Sequence, residues 1–88
     1  MNLIFQNSSG EERIIANPKN REEMVESINA FVDECNTRRT DGKPFKIYYM
    51  RMYMAGNRMQ VDCGSHSEFF FCELAEDETW ESVNLSLR

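Results

Sequence analysis

A single stretch of the chain carries apolar residues at helical spacing, and it limits the folds that the rest can adopt. Between Asn20 and Arg38 these residues recur at spacings of one, three and four positions: Met24, Val25, Ile28, Phe31, Val32 and Cys35. The spacing places them on one stripe of an amphipathic helix. Asn20 and Glu23 have the spacing of a reciprocal capping pair at the helix start. A helix with one apolar stripe needs another layer to cover it.

The other segments predict strands. Residues 3–5 and 13–16 flank a polar, glycine-containing turn and predict a hairpin. Residues 45–54, 58–63 and 68–74 predict three further strands, and residues 40–44 a turn between the helix and the first of them. Residues 82–87 alternate apolar and polar side chains, which predicts a short final strand; a helical turn from Thr79 is the alternative. We therefore expect one α+β domain over residues 1–88, a single helix packed on a mainly antiparallel sheet in the order ββαβββ, with an optional extra C-terminal strand.

The charge balance limits the partners. The chain has 15 acidic and 10 basic residues, a formal net charge of −5, which argues against direct binding to a nucleic-acid backbone. It suits a partner that carries a basic groove. The candidate acidic interaction face is Glu76, Asp77, Glu78 and Glu81, with a solvated surface as the alternative.

Other sequence features indicate a cytoplasmic protein. No apolar run is long enough to cross a membrane, and the N-terminal residues lack the pattern of a signal peptide. The three cysteines, Cys35, Cys63 and Cys72, form no CxxC motif, so we expect reduced thiols. A cross-strand disulfide between Cys63 and Cys72 is the alternative. We expect no cofactor.

A cluster of polar residues near the predicted third and fourth strands is the candidate binding site. It contains Arg51, Asp62, Ser65, His66, Ser67 and Glu68. Arg51 and Asp62 fall opposite each other in the predicted hairpin, where a bidentate ion pair would fix the strand register. The seryl hydroxyls and Gly64 also suit a structural turn.

Catalytic and metal-binding interpretations of this cluster remain open alternatives. Histidine is the side chain that suits proton transfer near neutral pH, and a carboxylate neighbour would orient His66 as a general base, with Ser65 or Ser67 as nucleophile. Asp62, His66 and Glu68 are alternatively three metal ligands, although the spacing of a zinc site is absent. Because no oxyanion hole can be named, we expect a protein that is not an enzyme.

The chain has more aromatic side chains than one helix covers. Tyr49, Tyr53, Phe69 and Phe71 are expected with Arg51 on the sheet face away from the helix. An apolar patch with an arginine at its edge is typical of interfaces. The N-terminal hairpin covers this face in one interpretation; in the other, it is a homodimer or partner surface.

Two stretches of the predicted sheet carry a resemblance. Residues 49–53 and 61–70 resemble a pattern in short, uncharacterised proteins of phages and mobile elements of Gram-positive bacteria. The matched positions are Arg51, Asp62, Gly64, Ser65, His66, Glu68 and Phe69. The resemblance implies a phage-infected bacterial cytoplasm as the setting.

The leading functional hypothesis is a small acidic, non-enzymatic binding protein of phage or mobile-element origin. It would inhibit a host defence system, as an anti-CRISPR protein does, by protein–protein contact with a host protein such as a nucleic-acid-binding effector. One alternative is an oligomeric module that binds a small anionic nucleotide through His66, Arg51 and the aromatic face. The other is a hydrolase or metal site at Asp62, His66 and Glu68.

Overall fold

The structure, a computed structural model, describes residues 1–38 and 44–86. The elements are β1 (Asn2–Gln6), β2 (Glu12–Ala16), α1 (Arg21–Arg38), β3 (Arg51–Ala55), β4 (Arg58–Asp62) and β5 (Phe69–Glu73). The strands form one sheet in the order β2-β1-β5-β4-β3, and every neighbouring pair is antiparallel. The predicted α+β class and the order ββαβββ are therefore confirmed. Most of the predicted turn at 40–44 lies outside the described residues.

The predicted stripe of α1 is the face that packs on the sheet. Met24, Ile28 and Val32 are its buried residues. The sheet contributes alternate residues of its central strands to the same core: Leu3, Phe5, Met59, Val61, Phe70 and Cys72. The core also contains four phenylalanine rings, Phe5, Phe31, Phe45 and Phe70, with neighbouring ring centroids between 4.7 and 6.4 Å apart. Since tilted and edge-to-face rings at this spacing attract one another, the cluster anchors the helix to the sheet.

The start of α1 has the predicted cap. Asn20 Oδ1 accepts a hydrogen bond of 2.9 Å from the backbone N–H of Glu23. Glu23 Oε1 in turn accepts one of 3.2 Å from the N–H of Lys19. One unpaired N–H of the first helical turn, that of Glu23, and the N–H of Lys19 just before the helix are satisfied in this way.

The prediction of a strand over 45–54 is wrong in its first half, because β3 begins only at Arg51. The side chain of Asn36, at the end of α1, accepts from Phe45 N at 2.6 Å and donates to Phe45 O at 2.9 Å. It therefore takes the place of a partner strand and turns Phe45 into the core. Further along, Tyr48 N donates to Cys63 O at 3.0 Å before regular pairing begins.

The prediction of a final strand over 82–87 is also wrong within the described residues, and the alternative of a helical turn from Thr79 is the better description. Thr79 and Ser82 cap each other, with N–H to hydroxyl bonds of 2.9 and 3.0 Å. The N–H of Val83 then donates to the carbonyl of Thr79 at 3.2 Å. Leu87 lies outside the described residues.

This turn ends in a Schellman motif. Leu85 N donates to Trp80 O at 2.8 Å, Asn84 N donates to Glu81 O at 3.1 Å, and Asn84 has the left-handed φ of 60°. That combination of bonds and φ is how a helix commonly ends. Arg21 Nε donates to Asn84 O at 2.9 Å, which fastens the turn to the start of α1.

The cysteines are free, so the alternative of a disulfide between Cys63 and Cys72 is wrong. Cys72 pairs with Met59 in the sheet rather than with Cys63. Burial raises the pKa of Cys63 to about 11 and that of Cys72 to about 12. Within the described residues, none of the helices combines the length and apolar character that a membrane span requires.

Candidate functional site

The segment from Asp62 to Glu68 is a turn held by its own side chains. Asp62 Oδ1 accepts from Gly64 N at 2.9 Å. Ser65 Oγ accepts from Ser67 N at 3.3 Å and from Glu68 N at 3.1 Å. These local bonds have the pattern of Asx and Ser/Thr turns. Two of the predicted site residues, Asp62 and Ser65, therefore have a structural role, because their side-chain oxygens stabilise the turn.

Gly64 has a φ of +100°, and it provides a seat for Tyr48. A Cβ atom at this position would lie 3.0 Å from Tyr48 Cδ2, closer than side chains normally approach. Because both the φ and the close contact require glycine, the turn holds the Tyr48 ring in place while leaving 71% of the residue exposed.

His66 lies on the rim of a groove of about 480 Å³ beside this turn. The groove also contains Lys46, Tyr48 and Glu68, whereas Arg51 is not part of its lining. His66 is exposed. Among the described residues, no three His, Cys, Asp or Glu side chains are grouped closely enough to hold a metal ion, so Asp62, His66 and Glu68 are not such a group.

Arg51 and Asp62 are paired in the predicted register, but their side chains form no ion pair. Asp62 is engaged by the Gly64 N–H. The guanidinium of Arg51 lies 5.0 Å from the centroid of the Tyr49 ring instead. The expected charge lock is therefore wrong, and the register is fixed by the two-residue turn at Gly56, which has a φ of 70°, and by the packing of alternate residues.

The sheet face opposite α1 is partly covered by a network of charged and polar side chains that spans four strands, β4, β5, β1 and β2. Arg58 on β4 lies over the Phe71 ring, with Cζ 3.8 Å from the ring centroid. Its two terminal nitrogens donate to the two carboxylate oxygens of Glu12 on β2, each at 2.9 Å. Gln6 donates to the same carboxylate at 3.0 Å, and Glu73 lies 3.8 Å from Arg58. Phe71 is only 5% exposed as a result, so it does not offer the binding surface that was expected of it.

Ionisation of this pair follows from its hydrogen bonds. Donation from Arg58 lowers the pKa of the Glu12 carboxyl below its usual value, and the nearby positive charge lowers it further. Acceptance by Glu12 raises the pKa of Arg58. Both groups remain charged at neutral pH, which keeps the cover over Phe71 intact.

The exposed apolar surface is concentrated at the opposite edge of the sheet. Five large apolar side chains are exposed in the described part of the chain, and four of them lie between residues 48 and 54: Tyr48 (71%), Tyr49 (44%), Tyr53 (38%) and Met54 (43%). We call these four residues, together with Arg51, the β3 edge patch. β3 is an edge strand, because β4 is its one neighbour among the strands of the described residues. The predicted site residues Tyr49, Tyr53 and Arg51 are brought together here.

A groove of about 500 Å³ adjoins this patch on the helix side of the sheet. We call it the Trp80 groove. It is lined by Met54, Met59, Thr79, Trp80, Glu81, Leu85 and Ser86. Its volume lies in the range of ligand pockets, and its walls carry both apolar and polar groups. The turn fastened by Arg21 forms one wall, and the end of β3 forms the other.

The acidic residues predicted as an interaction face have three different surroundings. Glu78 binds the α-amino group of Met1 at 2.9 Å and accepts from Ala75 N at 2.8 Å, and these bonds lower the pKa of its carboxyl. Glu81 is on the wall of the Trp80 groove. Glu76 and Asp77 are exposed, and the described residues offer neither of them an ion pair.

Three features of the surface were missed at the sequence level. Phe69, predicted with the exposed aromatics, is half-buried, whereas Tyr48 is the most exposed large apolar residue. The cover formed by Arg58 depends on a residue 46 positions away in sequence. The Trp80 groove depends on the helical turn that begins at Thr79, whereas the alternation of apolar residues predicted a strand there. Of these three features, only the exposure of Tyr48 had a sign in the sequence: Tyr48 is the first of two adjacent tyrosines directly before the methionine-rich strand.

Comparison of the chain with family models, with curated proteins and with solved structures finds no match.

Proposed function

We propose that this chain is a small acidic, non-enzymatic binding protein that contacts a partner protein through the β3 edge patch. The observation that carries the proposal is the clustering of Tyr48, Tyr49, Tyr53 and Met54 on one edge of the sheet. Tyrosine, methionine and arginine are enriched in protein interfaces, because they bury large areas and keep a polar or adaptable end.

The chemistry of the Gly64 turn supports a binding role rather than catalysis. Ser65, the candidate nucleophile, accepts two backbone N–H bonds. Among residues 1–38 and 44–86, His66 forms no hydrogen bond with a seryl hydroxyl or a carboxylate, which a catalytic base would need. The turn instead positions Tyr48 at the patch.

The setting that we propose is a phage or mobile element in a Gram-positive host, with the chain acting on a host defence protein, as an anti-CRISPR inhibitor does. This rests on the resemblance of residues 49–53 and 61–70 and on the net charge of −5. The acidic surface of this chain would complement a host protein whose groove is basic because it holds nucleic acid.

The test is capture from a lysate of such a host on immobilised chain. We expect one protein to be retained by the wild type and lost with a Tyr49→Ala/Tyr53→Ala variant. Ile14→Ala is the matched control, because Ile14 is also exposed (57%) but lies on β2, at the other edge of the sheet. Identical retention by all three chains would contradict the proposal. A salt titration of the retained protein then tests the acidic contribution, since screened charges lose their effect at high salt.

A small anionic ligand is a second candidate, favoured by the presence of Lys46 and His66 in the groove beside the Gly64 turn. Thermal shift with a panel of nucleotides tests it. A stabilisation that disappears in His66→Ala would support this ligand site, and no shift with any nucleotide would exclude it.

A further inference from the structure

The two edges of the sheet differ in how they are protected against another strand. β2 has a bulge in its pairing with β1, and its Glu12 carboxylate is fixed by Arg58. Bulges and charges are devices that keep an edge from pairing with a further strand. β3 contains no proline and, apart from Arg51, no charge. It is thus the less protected edge.

The backbone of β3 has hydrogen-bonding capacity to spare. In an antiparallel pair, alternate residues direct their N–H and C=O groups away from the neighbouring strand. The described residues form no backbone hydrogen bond with Arg51–Ala55 other than the pairing with β4. Such a row of free donors and acceptors is the template that an extended peptide uses when it joins a sheet.

The surroundings of β3 offer contacts to both faces of an added strand. Side chains of a strand alternate between the two faces of the sheet. On the helix side they would meet the Trp80 groove beside Met54, and on the other side they would meet Tyr53 and Arg51. Backbone pairing would supply affinity, and the groove would select one large apolar side chain.

The charges at this end of the molecule favour a basic segment over a second copy. β5 ends beside the β3–β4 turn, because Cys72 pairs with Met59. The chain then passes through the exposed carboxylates of Glu76 and Asp77 before it forms the groove wall at Trp80. Two copies with a net charge of −5 each would repel, whereas a lysine- or arginine-rich segment would be attracted.

We infer that β3 accepts a basic, extended segment of the partner protein as a sixth strand, with one large apolar side chain of that segment in the Trp80 groove. The inference rests on the proposed function and specifies the chemistry of its partner. Trp80 is the only tryptophan of the chain, so its fluorescence reports directly on the groove.

The probe is a nine-residue peptide of valine and threonine around a central phenylalanine, with lysines at its two ends, so that no lysine is placed opposite Arg51. We expect it to shift the emission of Trp80 and to slow amide exchange in Arg51–Ala55, as measured by NMR. The same peptide with alternate amides N-methylated should bind about tenfold or more weakly, because it loses several backbone hydrogen bonds. Glutamate in place of lysine should also weaken binding.

Two matched variants test the charge. Glu76→Gln/Asp77→Asn should weaken binding of the lysine peptide about threefold at low salt, in line with exposed ion pairs. Glu22→Gln/Glu26→Gln changes the net charge equally on the exposed side of α1 and should leave binding unchanged. Equal effects of the two variants would overturn the local role of the acidic segment.

The outcomes separate this inference from the proposed function. Peptide binding without protection of the β3 amides overturns strand addition. If no peptide binds but the Tyr49→Ala/Tyr53→Ala variant still loses its lysate partner, the basic extended segment is wrong and the proposed function stands. If no peptide binds and the Tyr49→Ala/Tyr53→Ala variant retains the lysate partner as the wild type does, the proposed function is wrong as well. A dimer detected by light scattering, together with slow amide exchange in Arg51–Ala55 in the absence of peptide, would assign the edge to a second copy and overturn the inference.

Discussion

Replacement of Arg58 by lysine tests whether a charged side chain seals the open face of the sheet. Lysine keeps the positive charge but has neither the planar group that stacks on Phe71 nor the fork that matches the Glu12 carboxylate. Arg58 makes both contacts at short range, 3.8 Å to the ring centroid and 2.9 Å to each carboxylate oxygen. Because the side chain of Arg58 is 25% exposed, its interactions are only partly screened by water.

The magnitude follows from these two contacts. A partly desolvated cation–π contact contributes about 1 kcal/mol, and a bidentate ion pair of this exposure about another 1 kcal/mol. Arg58→Lys should lower the free energy of unfolding by roughly half of this total, about 1 kcal/mol. Arg58→Ala should lower it by about 2 kcal/mol, because Phe71 is then also uncovered. For a domain of this size, these values correspond to a fall in Tm of about 5 °C and about 10 °C.

The assay is thermal and urea unfolding followed by circular dichroism. A double-mutant cycle with Glu12→Gln should give a coupling of about 0.5 kcal/mol or more. Arg38→Lys is the control: Arg38 pairs with Glu34 on the surface of α1 with 74% of its side chain exposed, so its replacement should leave the Tm unchanged. An Arg58→Lys variant as stable as the wild type, with zero coupling, would refute the sealing role.

Four further outcomes are expected. The pKa of Glu12 is lowered in the folded protein. The ionised carboxylate therefore contributes its full stability above the unfolded pKa of about 4.5, and this contribution is lost as the pH falls through the folded pKa. Between pH 6 and pH 3, the Tm should accordingly fall less steeply in Glu12→Gln than in the wild type. Asn84→Ala should reduce the free energy of unfolding by about 1 kcal/mol, since φ is 60° there, whereas Asn84→Gly should not; urea titration distinguishes them. Gly64→Ala should destabilise by about 1 kcal/mol or more, also seen by urea titration, because φ is +100° and the new Cβ meets a tyrosine ring. A thiol reagent at pH 8 should modify no more than one cysteine of the folded chain, because the buried Cys63 and Cys72 have pKa values of about 11 and about 12; reaction of three thiols without unfolding would contradict this.

The parts of the fold that sequence predicts well are those that depend on neighbours in the chain. The stripe of α1 follows from a repeat of three and four residues, and its cap from two side chains three positions apart. The hairpins follow from glycine-containing turns between alternating segments. The register that places Arg51 opposite Asp62 could be predicted from the length of the turn at Gly56 and is correct.

The errors arise where a distant or unusual partner replaces the expected one. Residues 45–50 have the composition of a strand, but the side chain of Asn36 occupies the backbone groups of Phe45. Val83 and Leu85 are both buried, as in a strand, yet a left-handed Asn84 between them gives the same alternation in a helical turn. Neither arrangement has a local signature that distinguishes it.

The candidate site was predictable in its residue types but not in its boundaries. Tyr49, Arg51 and Tyr53 were expected on an exposed face and lie in the β3 edge patch. Phe71 was expected beside them, but it is hidden under Arg58, whose partner Glu12 is on the far edge of the sheet. Which aromatic residues stay exposed therefore depends on pairing between strands distant in the sequence.

The position of β5 has a consequence for how the chain reaches this fold. β5 is the central strand, although it is the last of the five to be synthesised, and it joins Phe5 to Phe70, about 65 residues apart. Until it emerges from the ribosome, β1 and β4 each present an open edge, and the hairpins on either side have no sheet to join. Closing so long a loop is entropically costly and slows folding. We therefore expect the insertion of β5 to limit the rate of folding. Before β5 is made, the apolar stripe of α1 is the main surface on which the nascent chain can collapse.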